Sequence, residues 1–260
     1  AGLECFGNID SYSLCEVISL AAKSLKTISE SCVLDISHLG FLENIFESFN
    51  IPKMDRAQIL KFIGDKNIHE LERFCEKLDV EAENIETLKF LVSLSGNPDE
   101  VIPELIKRFD GKTDISPLLD MQVVLAAIEP SLKPMLRVDF SVVNDIKYYN
   151  GIVFKGFIEG MPTSVLSGGQ YDKLMKKMNR RSSAIGFAVY LDMLERFNLL
   201  SNEYDFNTLI TYSDKTDLSA LNKFADELIK NGERVLVSKK TSDSIKYRRL
   251  IDFDSEVANK

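Results

Sequence analysis

The chain has 260 residues, 45% of them hydrophobic and 28% charged, a balance that supports a sizeable buried core in a soluble globular protein of one large and one small domain. A formal net charge of −8 argues against nucleic acid as a partner, because binding to a polyanion rests on Lys and Arg contacts to phosphate. No apolar stretch approaches the ~20 residues that a membrane span requires, so no membrane association and a cytoplasmic location are expected.

Ser13 and Glu16 have the spacing of a capping box, and Leu14, Val17, Ile18, Ala21 and Leu25 follow at helical intervals, which predicts an amphipathic helix over about 13–28. Cys32-Val33-Leu34-Asp35-Ile36-Ser37 reads as a short strand, and 41–49 as a helix stopped by Asn50-Ile51-Pro52. Charge-rich helical patterns such as 57–63 and 85–91 then succeed one another with no strand between them, predicting a helical insertion over about 53–110. A further helix is predicted near 120–127. Leu136, Val138, Phe140 and Val142 alternate with Arg137, Asp139, Ser141 and Val143, the period of two of a half-buried strand. Strands at 149–159 and 163–167, separated by Gly160-Met161-Pro162, imply antiparallel pairing. A strand at 184–190 runs into a helix over 191–198. Beyond Asn202, a strand at 206–212, a helix at 218–230 stopped by Gly232 and a strand at 234–238 make a βαβ unit with a parallel sheet. The predicted division is a core of 1–202 and a small α/β domain of 203–260. Four scattered cysteines (Cys5, Cys15, Cys32, Cys75) without C-x-x-C spacing, and only His38 and His69, leave no zinc site in view.

Two segments carry more than local structure. Alone, Tyr148-Tyr149-Asn150-Gly151-Ile152-Val153-Phe154 reads as an aromatic strand start, and Gly168-Gly169-Gln170-Tyr171-Asp172 as a strand-to-helix turn. With Gly2-Leu3-Glu4-Cys5-Phe6-Gly7 upstream and Gly186-Phe187-Ala188-Val189-Tyr190-Leu191-Asp192 downstream, they resemble, in sequence and in order, the histidine-recognition segments of the histidyl-tRNA synthetases. The resemblance covers most of the chain and implies an α+β fold. That fold is a class II aminoacyl-tRNA-synthetase-like antiparallel sheet with helices and a helical insertion, plus a small anticodon-binding-like α/β C-terminal domain. It also implies an N-terminal stretch, with a dimerisation motif and a first arginine motif, that this sequence lacks.

A synthetase stabilises charge on the α-phosphate of ATP with arginines that donate paired, charge-assisted hydrogen bonds. The family reads Arg-Gly-Leu-Asp-Tyr-Tyr where this chain reads Asn144-Asp145-Ile146-Lys147-Tyr148-Tyr149, so a neutral Asn144 stands in the arginine's place. The family's third motif, Gly-Phe-Gly-Ile-Gly-Leu-Glu-Arg, aligned without gaps puts Tyr190 on a glycine and Met193 on the arginine. Leu194-Glu195-Arg196-Phe197 imitates its ending about one helical turn late and would restore Arg196 only with an insertion.

Retained tyrosines with lost arginines are similar to the regulatory subunits of ATP phosphoribosyltransferase, the first enzyme of histidine biosynthesis. That resemblance implies a non-catalytic chain without cofactor or metal, self-associating, paired with a short-form catalytic subunit and open to free histidine as effector. It places Glu4 and Tyr149 at the imidazole, with Tyr171 closing the same side and Gly168 and Gly169 admitting the backbone. Tyr148, a strand neighbour pointing the other way, reads as core, and Asp172 divides equally between a helix cap and a binding role. The alternative is a divergent histidine–tRNA ligase working with ATP and Mg²⁺; a scaffold with a decayed pocket is the third reading. The positive run Lys176, Lys177, Arg180 and Arg181 reads as a solvated helix end or as a contact for an acidic partner surface.

Overall fold

The computed structural model describes residues 1–143, 148–198, 204–241 and 245–258, with the backbone alone at 196–198 and 256–258. They fall into two units, Ala1–Leu194 and Glu195–Lys260. In the first, β1 (Gly2–Gly7), to which the sequence reading assigns no element, leads into α1 (Ser11–Ile28), β2 (Cys32–His38) and α2 (Leu39–Ser48). Helices α3 (Lys53–Gly64), α4 (Ile68–Lys77) and α5 (Ala82–Ser93) follow, then a two-residue strand β3 (Ser95–Gly96), α6 (Pro98–Phe109) and α7 (Ser116–Ala126). The chain returns to the sheet through β4 (Leu136–Asp139), β5 (Ile152–Ile158) and β6 (Leu166–Gln170), followed by α8 (Asp172–Lys177), β7 (Ser183–Val189) and α9 (Leu191–Asn198).

The sheet has the order β1-β7-β6-β5-β2-β4-β3. Its pairs are antiparallel except β2 with β4, which run parallel in the register Leu34↔Leu136 and Ile36↔Val138. The exception has a topological cause: the whole helical stretch separates these two strands, and parallel neighbours need a long crossover. The expectation of an uninterrupted helical insertion is corrected by β3, which pairs with β4 through Gly96↔Val138.

Local chemistry moves several boundaries. Asp10, not Ser13, caps α1: its side chain accepts from the Ser13 backbone N–H at 2.9 Å and from the Ser13 hydroxyl at 2.9 Å. The strand expected to run through Val143 ends at Asp139, whose carboxylate accepts from the Ser141 N–H (2.8 Å) and hydroxyl (2.6 Å) and so turns the chain. Phe140 then folds inward against Phe41 at 5.5 Å, and Phe41 meets Phe109 edge-on at 5.2 Å, joining α2 and α6 to the end of β4. Burying such a ring stabilises by about 2–3 kcal/mol relative to leaving it exposed. Helix α1 packs across β2, β5 and β7, its Leu25 filling the space above Gly156.

In the second unit β8 (Phe206–Thr211), α10 (Leu218–Lys230), β9 (Val235–Ser238), β10 (Tyr247–Asp252) and α11 (Phe253–Ala258) form an all-parallel sheet of order β10-β8-β9. Its core is Ile210, Leu221, Ala225 and Phe253, and Asp217 caps α10 through the Ser219 and Ala220 N–H groups. The parallel β8–α10–β9 unit is the expected one, whereas β10 and α11 lie outside the elements predicted from sequence. Among the described residues no helix is long and apolar enough to cross a membrane.

Candidate functional site

One row of residues crosses four strands in register: Glu4 on β1 opposite Gly186 on β7, Gly186 opposite Gly169 on β6, and Gly169 opposite Val153 on β5. Gly156 of β5 faces α1, so Val153 and the rest of the row point to the other face of the sheet. Two of the four positions are glycine for steric reasons. A Cβ at Gly186 would run into the Glu4 carboxylate and lie 2.5 Å from the Leu3 carbonyl oxygen. One at Gly169 would sit 2.8 Å from the Ile152 carbonyl oxygen and 2.9 Å from the Tyr149 ring. The glycines clear the floor on which an acidic and an aromatic side chain rest.

Above that floor the Tyr171 hydroxyl donates a hydrogen bond to Glu4 Oε2. Tyr171, only 5% exposed, meets the rings of Tyr148 at 5.2 Å and Tyr149 at 6.4 Å, and Tyr148 and Tyr149 meet each other at 4.7 Å. Phe6 closes the outer edge, 6.5 Å from Tyr171 and edge-on to it. Burial pushes the Tyr149 phenol up to about 12, and burial followed by the bond to Glu4 drives the Tyr171 phenol well above its ordinary range. Both are therefore neutral hydroxyls at physiological pH. The Glu4 carboxylate has acceptor capacity beyond the single Tyr171 bond, so the arrangement suits a ligand that presents N–H donors and an aromatic or cationic face.

Glu4, Tyr149, Tyr171 and Gly169 are thus brought together, and three other assignments change. Tyr148 lies in a turn and not in a strand, so alternation does not apply, and it joins the cluster on the same side as Tyr149. Gly168 points to the opposite face: a Cβ there would lie 2.6 Å from the Phe154 ring and 2.5 Å from the Gly186 carbonyl oxygen. It makes room in the core beside Phe154 and Phe187. Asp172 does not cap α8, of which it is the first residue. Its carboxylate accepts from Gln170 Nε2 at 2.7 Å and from the Ala184 N–H at 3.1 Å, tying α8 to β6 and β7. The open N–H at Lys173 goes to the Asn150 side-chain oxygen at 3.1 Å. Gly186 and Asn150 are the structural residues whose roles the sequence reading missed; both stand within the quoted segments, but only cross-strand register reveals what they do.

At the third-motif positions, the Tyr190 hydroxyl shares a 2.6 Å hydrogen bond with Ser167 Oγ, and the Tyr190 N–H reaches the Val165 carbonyl at 2.8 Å. Ser167 pairs with Lys155 and so belongs to the same face as Glu4. The Met193 sulfur stands 4.0 Å from the Thr163 hydroxyl, a thioether with no charge to offer a phosphate. Asn144 and the side chain of Arg196 lie outside the described residues. Among the described residues no group of three or more His, Cys, Asp or Glu side chains could hold a metal ion.

The mixed sheet, its crossover helices and the tyrosine-lined floor on one face make this a domain of the class II aminoacyl-tRNA synthetase type. Residues 1–194 match the histidyl-tRNA synthetase family, and the chain belongs to that family. A curated relative from Oceanobacillus iheyensis, an ATP phosphoribosyltransferase regulatory subunit, is 27% identical over 265 residues, covering 98% of this chain and 64% of its own length. The chain therefore spans less than two thirds of that relative. A crystal structure from Bacillus halodurans, described as an ATP phosphoribosyltransferase regulatory subunit/histidyl-tRNA synthetase, shares the fold with a TM-score of 0.69 at 23% identity, over 96% of this chain and 67% of that one. The HisG:HisZ complex of ATP phosphoribosyl transferase from Thermotoga maritima shares it with a TM-score of 0.57 at 20% identity, over 73% of this chain and 65% of that one.

Proposed function

We propose that the chain is a non-catalytic regulatory subunit of ATP phosphoribosyltransferase, cytoplasmic, self-associating, bound to a short-form catalytic subunit and responsive to free histidine. The observation that carries this reading is a recognition set beside uncharged side chains at the described third-motif positions. Glu4, Tyr149 and Tyr171 share one cluster, whereas Tyr190 and Met193 stand at the third-motif positions. The name borne by the Oceanobacillus iheyensis relative, matched over 98% of this chain, supports the same reading.

A carboxylate that accepts an imidazole N–H contributes about 1.5–3 kcal/mol, tenfold to hundredfold in affinity, which suffices for a sensor. Control then requires only that histidine bind one state of the assembly better than another. The small C-terminal unit fits an anticodon-type domain relieved of its tRNA task. The test is to co-purify the chain with the short-form catalytic subunit and assay phosphoribosyl transfer with and without histidine. Activity that depends on this chain and falls with histidine is expected, with no histidine-dependent pyrophosphate exchange. Leu194-Glu195-Arg196 favours the second reading, a histidine–tRNA ligase, and formation of histidyl-adenylate would establish it in place of the first.

A further inference from the structure

Between β6 and β7 the chain forms a small basic lobe that the candidate site does not use. Lys173, Lys176, Lys177, Arg180 and Arg181 stand in nine consecutive residues without an acid among them, on a chain of net charge −8. All five are exposed. Elsewhere several cations are paired: Arg56 with Glu43 and Glu47, Lys89 with Glu72 and Glu86, Arg137 with Asp35. Among the described residues no ion pair engages Lys173, Lys176, Arg180 or Arg181. The Asp172 carboxylate is already engaged by Gln170 and the Ala184 N–H.

The lobe is a built turn. Asn179 takes a left-handed conformation (φ 56°), and the Arg180 N–H closes on the Met175 carbonyl at 2.9 Å. At its tip Met178 is 61% exposed, and at the same corner of the sheet Phe6 is 60% exposed. Strand pairing brings the end of β1 to the end of the lobe, because Gly7 pairs with Ser183, two residues beyond Arg181. Exposed Met and Phe side chains on elements that also present Arg and Lys match the composition of a protein-binding patch.

We infer that the 173–181 lobe, with Phe6, docks a carboxylate-rich face of a protein partner, which under the function proposed above is the catalytic subunit. RNA fits the patch less well, since phosphates would answer the cations but leave Met178 uncovered. The lobe hangs from Tyr171 and Asp172, whose side chains bond Glu4 and β7, so the docking surface and the tyrosine cluster share anchors.

The test measures the affinity of the full chain for the short-form catalytic subunit at two salt concentrations, with circular dichroism to verify folding. R180E/R181E should raise Kd about tenfold or more and flatten the salt dependence, while K53E/K61E, an equal charge change on α3, should leave Kd within about twofold. Met178→Ala, which alters no charge, should weaken binding a few fold. Equal affinity of R180E/R181E and the native chain overturns the inference and leaves the regulatory reading intact. No binding by the native chain removes both. Binding of bulk tRNA that R180E/R181E abolishes, with the protein complex unaffected, assigns the lobe to nucleic acid and overturns the inference as well.

Discussion

The carboxylate of Glu4 fills the volume into which a side chain at Gly186 would project, so the acceptor on β1 and the glycine on β7 fit as one unit. Gly186→Ala would place a methyl group against that carboxylate and 2.5 Å from the Leu3 carbonyl, and the Leu3 backbone cannot move without shifting β1. The variant should lose about 1–3 kcal/mol of stability in chemical denaturation, because overpacking forces side-chain and backbone shifts. Histidine affinity measured by calorimetry should fall with it. Native stability and affinity in Gly186→Ala would mean that Glu4 has room to spare.

Within the tyrosine cluster, Glu4 and Tyr171 have separable effects. Glu4→Ala removes the carboxylate that Tyr171 engages and should weaken histidine binding about tenfold to hundredfold in a calorimetric titration. Tyr171→Phe keeps the ring, which is 5% exposed, and deletes the hydroxyl that donates to Glu4. Its expected penalty is about 1 kcal/mol in unfolding and a smaller loss of affinity. An affinity of Glu4→Ala equal to that of the native chain would take Glu4 out of the site.

What the sequence reveals and what it hides follow from the range of the interactions. Helix α1 is legible because Val17, Ile18, Ala21 and Leu25 repeat at helical spacing, and all four are buried; its cap is ambiguous in sequence because Asp10 and Ser13 both offer oxygen acceptors. The change of period at Leu136 marks the passage from helices to strands, and the α+β class follows from the family resemblance. The parallel pairing of β2 with β4 is not legible, since it joins segments about a hundred residues apart and leaves no local trace. Gly168 and Gly169 look alike as neighbours in sequence, yet strand alternation sends one to the Phe154 core and the other beneath Tyr149. Resemblance supplied Glu4 and Tyr171 as members of one pocket; their direct hydrogen bond across 167 residues required coordinates.

On the same face as Glu4, Arg137 grips Asp35 side-on, its Nε and Nη2 donating to the two carboxylate oxygens at 2.6 and 2.7 Å. Asp35 is 4% exposed, so removing its partner leaves a buried charge with little water to replace the guanidinium. The Arg137 side chain is 42% exposed, which lets solvent offset part of the loss. Arg137→Ala should destabilise by about 2 kcal/mol in urea, and Arg137→Lys by less, because an ammonium keeps the compensating charge although it cannot match both oxygens at once. A change below about 0.5 kcal/mol for Arg137→Ala would show that the pair contributes no more than an exposed surface bridge.

His38 gives the first unit a pH dependence whose sign can be worked out. Its side chain caps α2, with Nδ1 accepting from the Phe41 N–H at 3.3 Å, a role open only to the neutral ring. Burial pushes the imidazole down to about 4, while in an unfolded chain it would titrate near 6.5. Between those values the unfolded chain holds a proton that the folded chain does not, so stability declines as pH falls from about 6.5 towards 4 and is fully present above that window. A shift of this size corresponds to at most about 3 kcal/mol. His38→Asn keeps an oxygen that can cap and removes the titration. Unfolding free energies of the two proteins, measured from pH 7 to pH 4.5, should therefore converge or cross as the native protein loses stability relative to the variant. Parallel curves would mean that the native ring gains its proton in the folded state without penalty, and that the cap does not depend on a neutral His38.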